Sequence, residues 1–494
     1  MSSDLLKRLS ELSPEKRRML ELRLRTARAG GAELRPLPRN ADGPTEFPLS
    51  FAQQRLWVLD RMEPGTDAYN LPFAQRLRGA LDVPALEQAL DAVRRRHESL
   101  RTTFAERNGR AVQVVHPWRP VPLEVLDVSH LPAEERKAVF VAEGEREVRG
   151  SFDLERGPLF RARVVLMGAD EAGLIIGMHH IISDGWSGGV LMRELNQAYG
   201  AFHRGEPDPL GPLELQYADY AVWQRAHLDG PTGQKQLEFW RQALRGAPPA
   251  LEIPTDHPRP VAASHRGERV QLDLPASLGA RLRSLALAEG ATLFAVLIAA
   301  FRAVLGQHAG QDDVVIGTAV AGRTRVELEP LTGFFINTLP LRTRLSGDPT
   351  FRELVRREKE TLLDALSHQE LPFERMVEEL RLPRDLTRNP VFQVHFALQN
   401  MASGDLALAG LAAGDDEEQL HEVAKFDLGM EVSEYGDELY CDLDRATDLF
   451  ARPTAQRILA HFRALLEQAA ADPDRPLSTL SPMDAGERRR VEEE

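Results

Sequence analysis

Residues His179-His180-Ile181-Ile182-Ser183-Asp184-Gly185 place two imidazoles and a carboxylate in one short run. With average residue usage, His-His-x-x-x-Asp-Gly arises by chance in a chain of this length on the order of once in a thousand. Imidazole is the side chain whose ordinary pKa suits proton transfer near neutrality. Three chemistries are open to such a run. The histidines and aspartate could hold a metal, but adjacent strand residues point to opposite faces, so His179 and His180 do not readily converge on one ion. They could be satisfied core histidines beside a turn aspartate. Or one imidazole could face a cleft as an acid–base group while the other packs inward, with Asp184 ordering the turn through charge or hydrogen bonds. Strand alternation does not say which histidine faces the cleft.

No serine or cysteine nucleophile is expected beside this run. Cys441, the single cysteine, lies in a predicted strand with no motif around it, and no phosphate-cradling glycine loop is present. The chemistry expected is direct attack of one bound substrate on another, assisted by a histidine.

The elements that must position these residues read as mixed α/β. The apolar run Leu174 to His180 predicts a strand, and Arg161 to Met167 predicts its partner. The loop from Gly168 to Gly173 joins them as a hairpin. Trp186 to Phe202 returns to helical spacing, so the histidine run sits at a strand-to-helix turn, where side chains are presented rigidly to a cleft. Asp82 and Pro84 open a helix with Leu86, Leu90 and Val93 on one face. The rhythm recurs later: a strand from Val270 to Leu274, helices over Ala276 to Ala288 and Leu293 to Leu305, and a strand from Val314 to Val320. A hairpin follows around Tyr435-Gly436-Asp437, then a helix over Thr454 to Leu466. The spans expected are a leader helix and linker over 1–48, a docking element by one reading, then an N-terminal lobe over 49–210. A C-terminal lobe over 211–475 and an exit linker over 476–494 complete the chain. The linker reading of 27–48 rests on seven glycines and prolines, from Gly30 to Pro48.

Composition narrows the partners. The 494 residues carry a formal net charge of −14, which argues against a general nucleic-acid or anionic-membrane binder, because both require a basic face. Hydrophobic residues make up 43% and charged residues 28%, ordinary for a globular chain with an ample core. One cysteine forms no internal disulfide, so a reducing, cytoplasmic setting is expected. The N-terminus has charges where a secretion signal needs an apolar run. The apolar stretch Leu293 to Phe301 is well short of the ~20 residues that span a bilayer.

The chain resembles a condensation domain of nonribosomal peptide synthetases. The resemblance rests on seven motifs in order. Leu49-Ser50-Phe51-Ala52-Gln53-Gln54-Arg55-Leu56-Trp57 comes first, then Arg96-His97-Glu98-Ser99-Leu100-Arg101-Thr102, then His179 to Gly185. Tyr217 to Trp223, Gly333-Phe334-Phe335-Ile336-Asn337-Thr338, His368 to Glu374 and Arg384 to Pro390 follow. Lys425-Phe426-Asp427-Leu428 is also similar to the family. The resemblance implies two lobes of the chloramphenicol-acetyltransferase type, arranged as a V with a tunnel between them. It implies amide bond formation. An upstream carrier protein would present an acyl or peptidyl thioester on a phosphopantetheine arm, and the α-amine of a downstream aminoacyl thioester would attack it. The domain itself would bind no cofactor and no metal, and an adenylation domain would be its neighbour.

By the same resemblance His180 is the catalytic histidine. His179, Asp184, Gly185, Trp186, Ser187 and Asn337 belong to the site and its support. Asp184 is expected in a buried salt bridge, with Arg323 as candidate partner, and Asn337 near the cleft, since an amide in an apolar run is costly without partners. Ala68 to Pro72 and Phe392 to Phe396 resemble domains that join an L-configured donor to an L-configured acceptor. The alternatives are a starter domain that transfers a fatty acyl group, an acyltransferase using free acyl-CoA, and a non-catalytic recruitment domain.

Overall fold

The computed structural model describes residues 33–261, 263–380, 385, 387–399, 406–414 and 423–481. The expected leader helix over 4–26 and the residues after 481 lie outside them.

The first half of the chain runs β1 (Thr45–Pro48), α1 (Phe51–Met62), β2 (Asn70–Arg78), α2 (Val83–Arg96), β3 (Thr102–Arg107), β4 (Arg110–Val115) and β5 (Glu124–Asp127). It continues with α3 (Ala133–Arg149), β6 (Phe160–Gly168), β7 (Glu171–His179), α4 (Gly185–His203) and α5 (Tyr217–Leu228). The second half runs α6 (Pro231–Ala243), β8 (Gly267–Leu274), α7 (Ala276–Ala288), α8 (Leu293–Ala309), β9 (Asp313–Val320), β10 (Asn337–Arg344) and α9 (Phe351–Ser367). Then come α10 (Phe373–Leu380), β11 (Val394–Gln399), β12 (Ala412–Ala413), β13 (Leu428–Tyr435), β14 (Glu438–Ala446) and α11 (Arg452–Ala471).

Two sheets, each with its own apolar core, make two lobes. The N-terminal lobe holds a five-stranded sheet in the order β12-β2-β7-β6-β5. The C-terminal lobe holds six strands, β10-β9-β11-β13-β14-β8. A small sheet, β1-β4-β3, flanks the first. The predicted hairpin forms: β6 and β7 pair antiparallel, with Ala162 opposite Ile176 and Phe160 opposite Met178. β13 and β14 pair around Gly436 as expected. Leu86, Leu90 and Val93 bury one face of α2, and Asp82 caps its start by accepting from the Ala85 N–H at 3.1 Å. Helix α8 is buried without interruption from Ala295 to Gly306, and the one charge in that run, Arg302, is paired with Glu358. Among the described residues no single helix is long and apolar enough to cross a membrane.

The chain departs from the expected spans in three places. Residues 39–48, expected in the linker, join the body: β1 pairs with β4, and Arg39 forms ion pairs with Glu98 and Asp219. Residues 477–480, expected in an exit linker, belong to the body: Leu477 and Leu480 are buried in the C-terminal core and Ser478 is held by Asp348. The lobes also do not divide at one cut. β12 leaves the C-terminal half to pair antiparallel with β2, and Leu406 and Leu408 bury themselves in the N-terminal core. The segment joining β9 to β10 likewise places Phe334 in that same core.

Candidate active site around His180

β7 delivers the histidines to its end. The strand was expected to run through His180 but stops at His179, and His180 opens one 3-10 turn, His180–Ile182. Strand alternation therefore does not govern the second ring.

His179 is buried, with the rings of Tyr69 and Phe152 at centroid distances of 6.4 and 5.9 Å. The Ile181 N–H donates to His179 Nδ1 at 3.1 Å, so the neutral ring carries its proton on Nε2. Burial, and then His180, push this imidazole down to about 3. His179 is a neutral packing residue.

His180 has the opposite tautomer. Its backbone N–H donates to the Tyr69 carbonyl at 2.8 Å, and its Nδ1 lies 2.8 Å from the Ser183 carbonyl oxygen. A carbonyl only accepts, so Nδ1 carries the proton and Nε2 keeps its lone pair. Among the described residues no group hydrogen-bonds Nε2. The ring meets Phe334 edge-on, with centroids 4.8 Å apart. Burial, and then Lys425, push His180 down to about 4, so it is neutral at pH 7. The residue retains partial exposure.

Asp184 caps α4 and joins the lobes. Its Oδ1 accepts from the Ser187 N–H at 2.8 Å and the Ser187 hydroxyl at 2.7 Å. Arg323 donates to both carboxylate oxygens, Nη1 at 2.9 Å and Nη2 at 3.1 Å, and the Phe335 N–H donates at 3.0 Å. Both charges are buried, and the Arg323 guanidinium lies 4.2 Å over the Phe335 ring. Its Nη2 also donates to the Ser187 hydroxyl and to the Leu331 carbonyl. Trp186 Nε1 donates to the Glu329 carbonyl at 2.8 Å, while Gly185 is exposed at the start of α4. The run Gly185-Trp186-Ser187-Gly188-Gly189 does spell the Gly-x-Ser-x-Gly pattern of a nucleophile, against the expectation of none. The Ser187 hydroxyl is fully buried among Asp184, Arg323 and Gly333, which is a bracing role.

The third wall comes from α5. Tyr217 donates its hydroxyl to the Phe334 carbonyl at 2.6 Å and accepts from Ser50 at 2.7 Å. This fixes the backbone of the ring that abuts His180. Gly333 leaves room for the Tyr217 ring, since a Cβ there would lie 1.9 Å from it unless the ring shifted. Asn337, three residues beyond Phe334, donates to the carbonyls of Gln369 and Leu371 at 2.8 and 2.9 Å. Its oxygen accepts from Thr338 and Phe373 at 2.9 and 3.0 Å. All its hydrogen-bonding capacity goes to neighbouring backbone, and it lines a separate small pocket with Tyr220, His227 and Glu370. The structure thus joins His180, Asp184, Trp186, Ser187 and Arg323 at one lobe junction, with Asn337 as a brace beside it.

Sequence reasoning gave no role to Tyr69, Phe334 or Lys425. The Lys425 ammonium lies 5.6 Å from the centroid of the Tyr69 ring. A lysine between Ala424 and Phe426, ahead of a buried strand, was the available signal. Cys441 is buried in β14, and burial pushes its thiol up to about 12, so it is no nucleophile.

Two α/β lobes of the chloramphenicol-acetyltransferase type, with a neutral histidine at their junction, define an acyltransferase-like architecture. The chain belongs to the condensation-domain family, which it matches over residues 44–491. It is 44% identical over 458 residues to one of the linear gramicidin synthase proteins of Brevibacillus parabrevis, covering 92% of this chain and 9% of that protein. It is 38% identical over 490 residues to phosphinothricin tripeptide synthetase of Streptomyces viridochromogenes, covering 99% of this chain and 45% of that one. The chain thus spans less than half the length of either relative. Among solved structures, the X-domain from teicoplanin biosynthesis superimposes with a TM-score of 0.81 at 34% identity, covering 91% of this chain and 99% of that one. A four-domain nonribosomal peptide synthetase bound to AMP and glycine gives 0.79 at 26% identity, over 91% of this chain and 35% of that chain.

Proposed function

We propose that this chain forms the amide bond between an acyl or peptidyl thioester on an upstream carrier protein and the α-amine of an aminoacyl thioester on a downstream one. The observation that carries the reading is the His180 tautomer: Nδ1–H is committed to the Ser183 carbonyl, and among the described residues nothing bonds the Nε2 lone pair. The phosphopantetheine arms belong to the carriers and arrive as part of the substrates. Carriers and a neighbouring adenylation domain fit the multidomain relatives, and a cytoplasmic setting suits them.

The chemistry follows from two pKa values. A free α-amine titrates near ~7.7, so part of it is neutral at pH 7. His180, held near 4, is too weak a base to strip an ammonium ion. The amine must therefore arrive neutral, with one N–H aimed at Nε2. Its lone pair attacks the thioester carbonyl, the N–C bond forms, and the carbonyl oxygen becomes an oxyanion. The nitrogen now carries positive charge and is far more acidic, so its proton passes to Nε2. Collapse of the adduct breaks the C–S bond, and the departing thiolate takes the proton from the imidazolium.

His180→Ala removes both positioning and proton acceptance. Dipeptide formation on loaded carriers, followed by mass spectrometry of the intact carriers, should fall at least about a hundredfold. A loss below about threefold refutes the catalytic role. Parallel donors carrying acyl, L-aminoacyl and D-aminoacyl groups, and free acyl-CoA, decide the donor class. A second reading, a recruitment module, has one observation in its favour: the similar teicoplanin X-domain has been solved in complex with OxyB. No turnover with any donor, together with capture of a tailoring enzyme, would favour that reading.

A further inference from the structure

Lys425 stands at this site with no part in the steps above. Its backbone is fixed on both sides: Asn389 donates to its carbonyl at 2.8 Å, and Phe426 stacks on His395 of β11 with centroids 5.0 Å apart and planes 7° from parallel. Its ammonium lies over the Tyr69 ring, at 5.6 Å from the centroid. The carbonyl of that same tyrosine holds the His180 N–H, and its ring lies beside His179. Lys425 thus reaches from the C-terminal lobe to the residue that anchors the catalytic turn of the other lobe.

Among the described residues its charge has no adjacent counter-ion. The charged and titratable groups around it are Arg55 of α1, Tyr69, His179 and His180 at the end of β7, His395 of β11 and Asp444 of β14. Among the described residues no carboxylate pairs directly with it, and Asp444 is the acid that acts on it at longer range. An uncompensated cation in a low-dielectric interior makes a positive potential around it. After burial, Lys425 is the leading influence holding His180 and His395 below the ordinary histidine range.

We infer that Lys425 sets a positive field at the acceptor position, which disfavours the protonated form of the incoming α-amine and favours the oxyanion of the adduct. The inference rests on the amide-forming reading above. It supplies what that reading lacks, since His180 is too weak a base to generate the neutral amine. The field that adds to burial in keeping the imidazole neutral also favours the neutral nucleophile. Burial, and then Arg55, push the Lys425 ammonium itself down to about 8, so the field is full well below that pH and fades above it.

The test uses the full chain with Lys425→Met and Lys425→Arg, loaded donor and acceptor carriers, and single-turnover rates between about pH 6 and 9. In Lys425→Met the rising limb of the pH profile should move up by roughly half to one unit, and the rate at its acid end should fall by up to about tenfold. Lys425→Arg should keep the parental profile below about pH 8, where Lys425 holds its own proton. An aminooxy acceptor, neutral across this range, should lose less rate than the amine acceptor in the Met variant. A parental profile in Lys425→Met, or an equal loss at every pH with both acceptors, overturns the inference. Histidine NMR on the same variants reads the field without the reaction: His180 and His395 should titrate at higher pH in Lys425→Met. Unchanged titration refutes the field whatever the rates. Absence of amide from the parent counts against the reaction proposed above, and the NMR still decides the field.

Discussion

Asp184→Asn keeps the shape of the side chain and removes its charge. The carboxylate accepts from the Ser187 N–H and hydroxyl, from both terminal nitrogens of Arg323 and from the Phe335 N–H, at 2.7 to 3.1 Å. An amide has one accepting oxygen. With that oxygen at the Oδ1 position, its NH2 faces Arg323 Nη1 and the Phe335 N–H, donors against a donor. Turned over, it faces the Ser187 N–H and Arg323 Nη2 instead. Either way Arg323 becomes a buried cation without a counter-ion, and breaking such a pair costs about 3–5 kcal/mol. The Ala321 and Leu331 carbonyls still accept from Arg323, which favours the lower end of that range. Against a total stability of about 5–15 kcal/mol this is severe. Urea denaturation should show the loss directly. Adding Arg323→Met should recover part of it, because no charge is then left buried alone. An Asp184→Asn protein that unfolds at the parental urea concentration yet forms no amide would refute the reasoning, and would place Asp184 in the chemistry itself.

Two further outcomes follow from the same geometry. His179, His180 and His395 are pushed, by burial first, to about 3, 4 and 4 in the folded chain, against ~6.5 when unfolded. The unfolded state therefore binds more protons in that window, so their contribution to stability is complete above ~6.5 and is lost as pH falls toward the folded values. Urea midpoints measured from neutral to acid pH should fall with uptake of more than one proton, and His395→Gln should make the slope shallower. Gly333→Ala should displace the Tyr217 ring at about 1–3 kcal/mol and also lower activity, since Tyr217 fixes the backbone of Phe334 against His180. Retained stability and rate in that variant would show that the ring can yield.

Much of the scaffold was legible because its signals are local. Helix α7 falls on Ala276–Ala288 as the periodicity predicts, and Asp82 caps α2 where its spacing placed it. The histidine run was legible for the same reason. What escaped depends on distant partners. Pro36, Pro38 and Pro48 read as linker, yet β1 is an edge strand that tolerates a terminal proline, and Arg39 fixes the segment through acids 59 and 180 residues away. The role of Asn337 was invisible because its partners are backbone groups of residues 338–373. Lys425 carried only a motif resemblance, since nothing in its neighbourhood along the chain announces that its charge would sit beside Tyr69.

The two-residue strand β12 bears on how such domains can be recombined. A chimera joined near residue 210 would draw the N-terminal sheet from one parent and its edge strand from the other. Ala412 and Ala413 would then have to pair with a foreign Arg78 and Leu77, and Leu406 and Leu408 would have to fit a core they did not evolve with. The exchangeable unit is the pair of lobes, and a graft that respects it carries residues 406–414 together with β2.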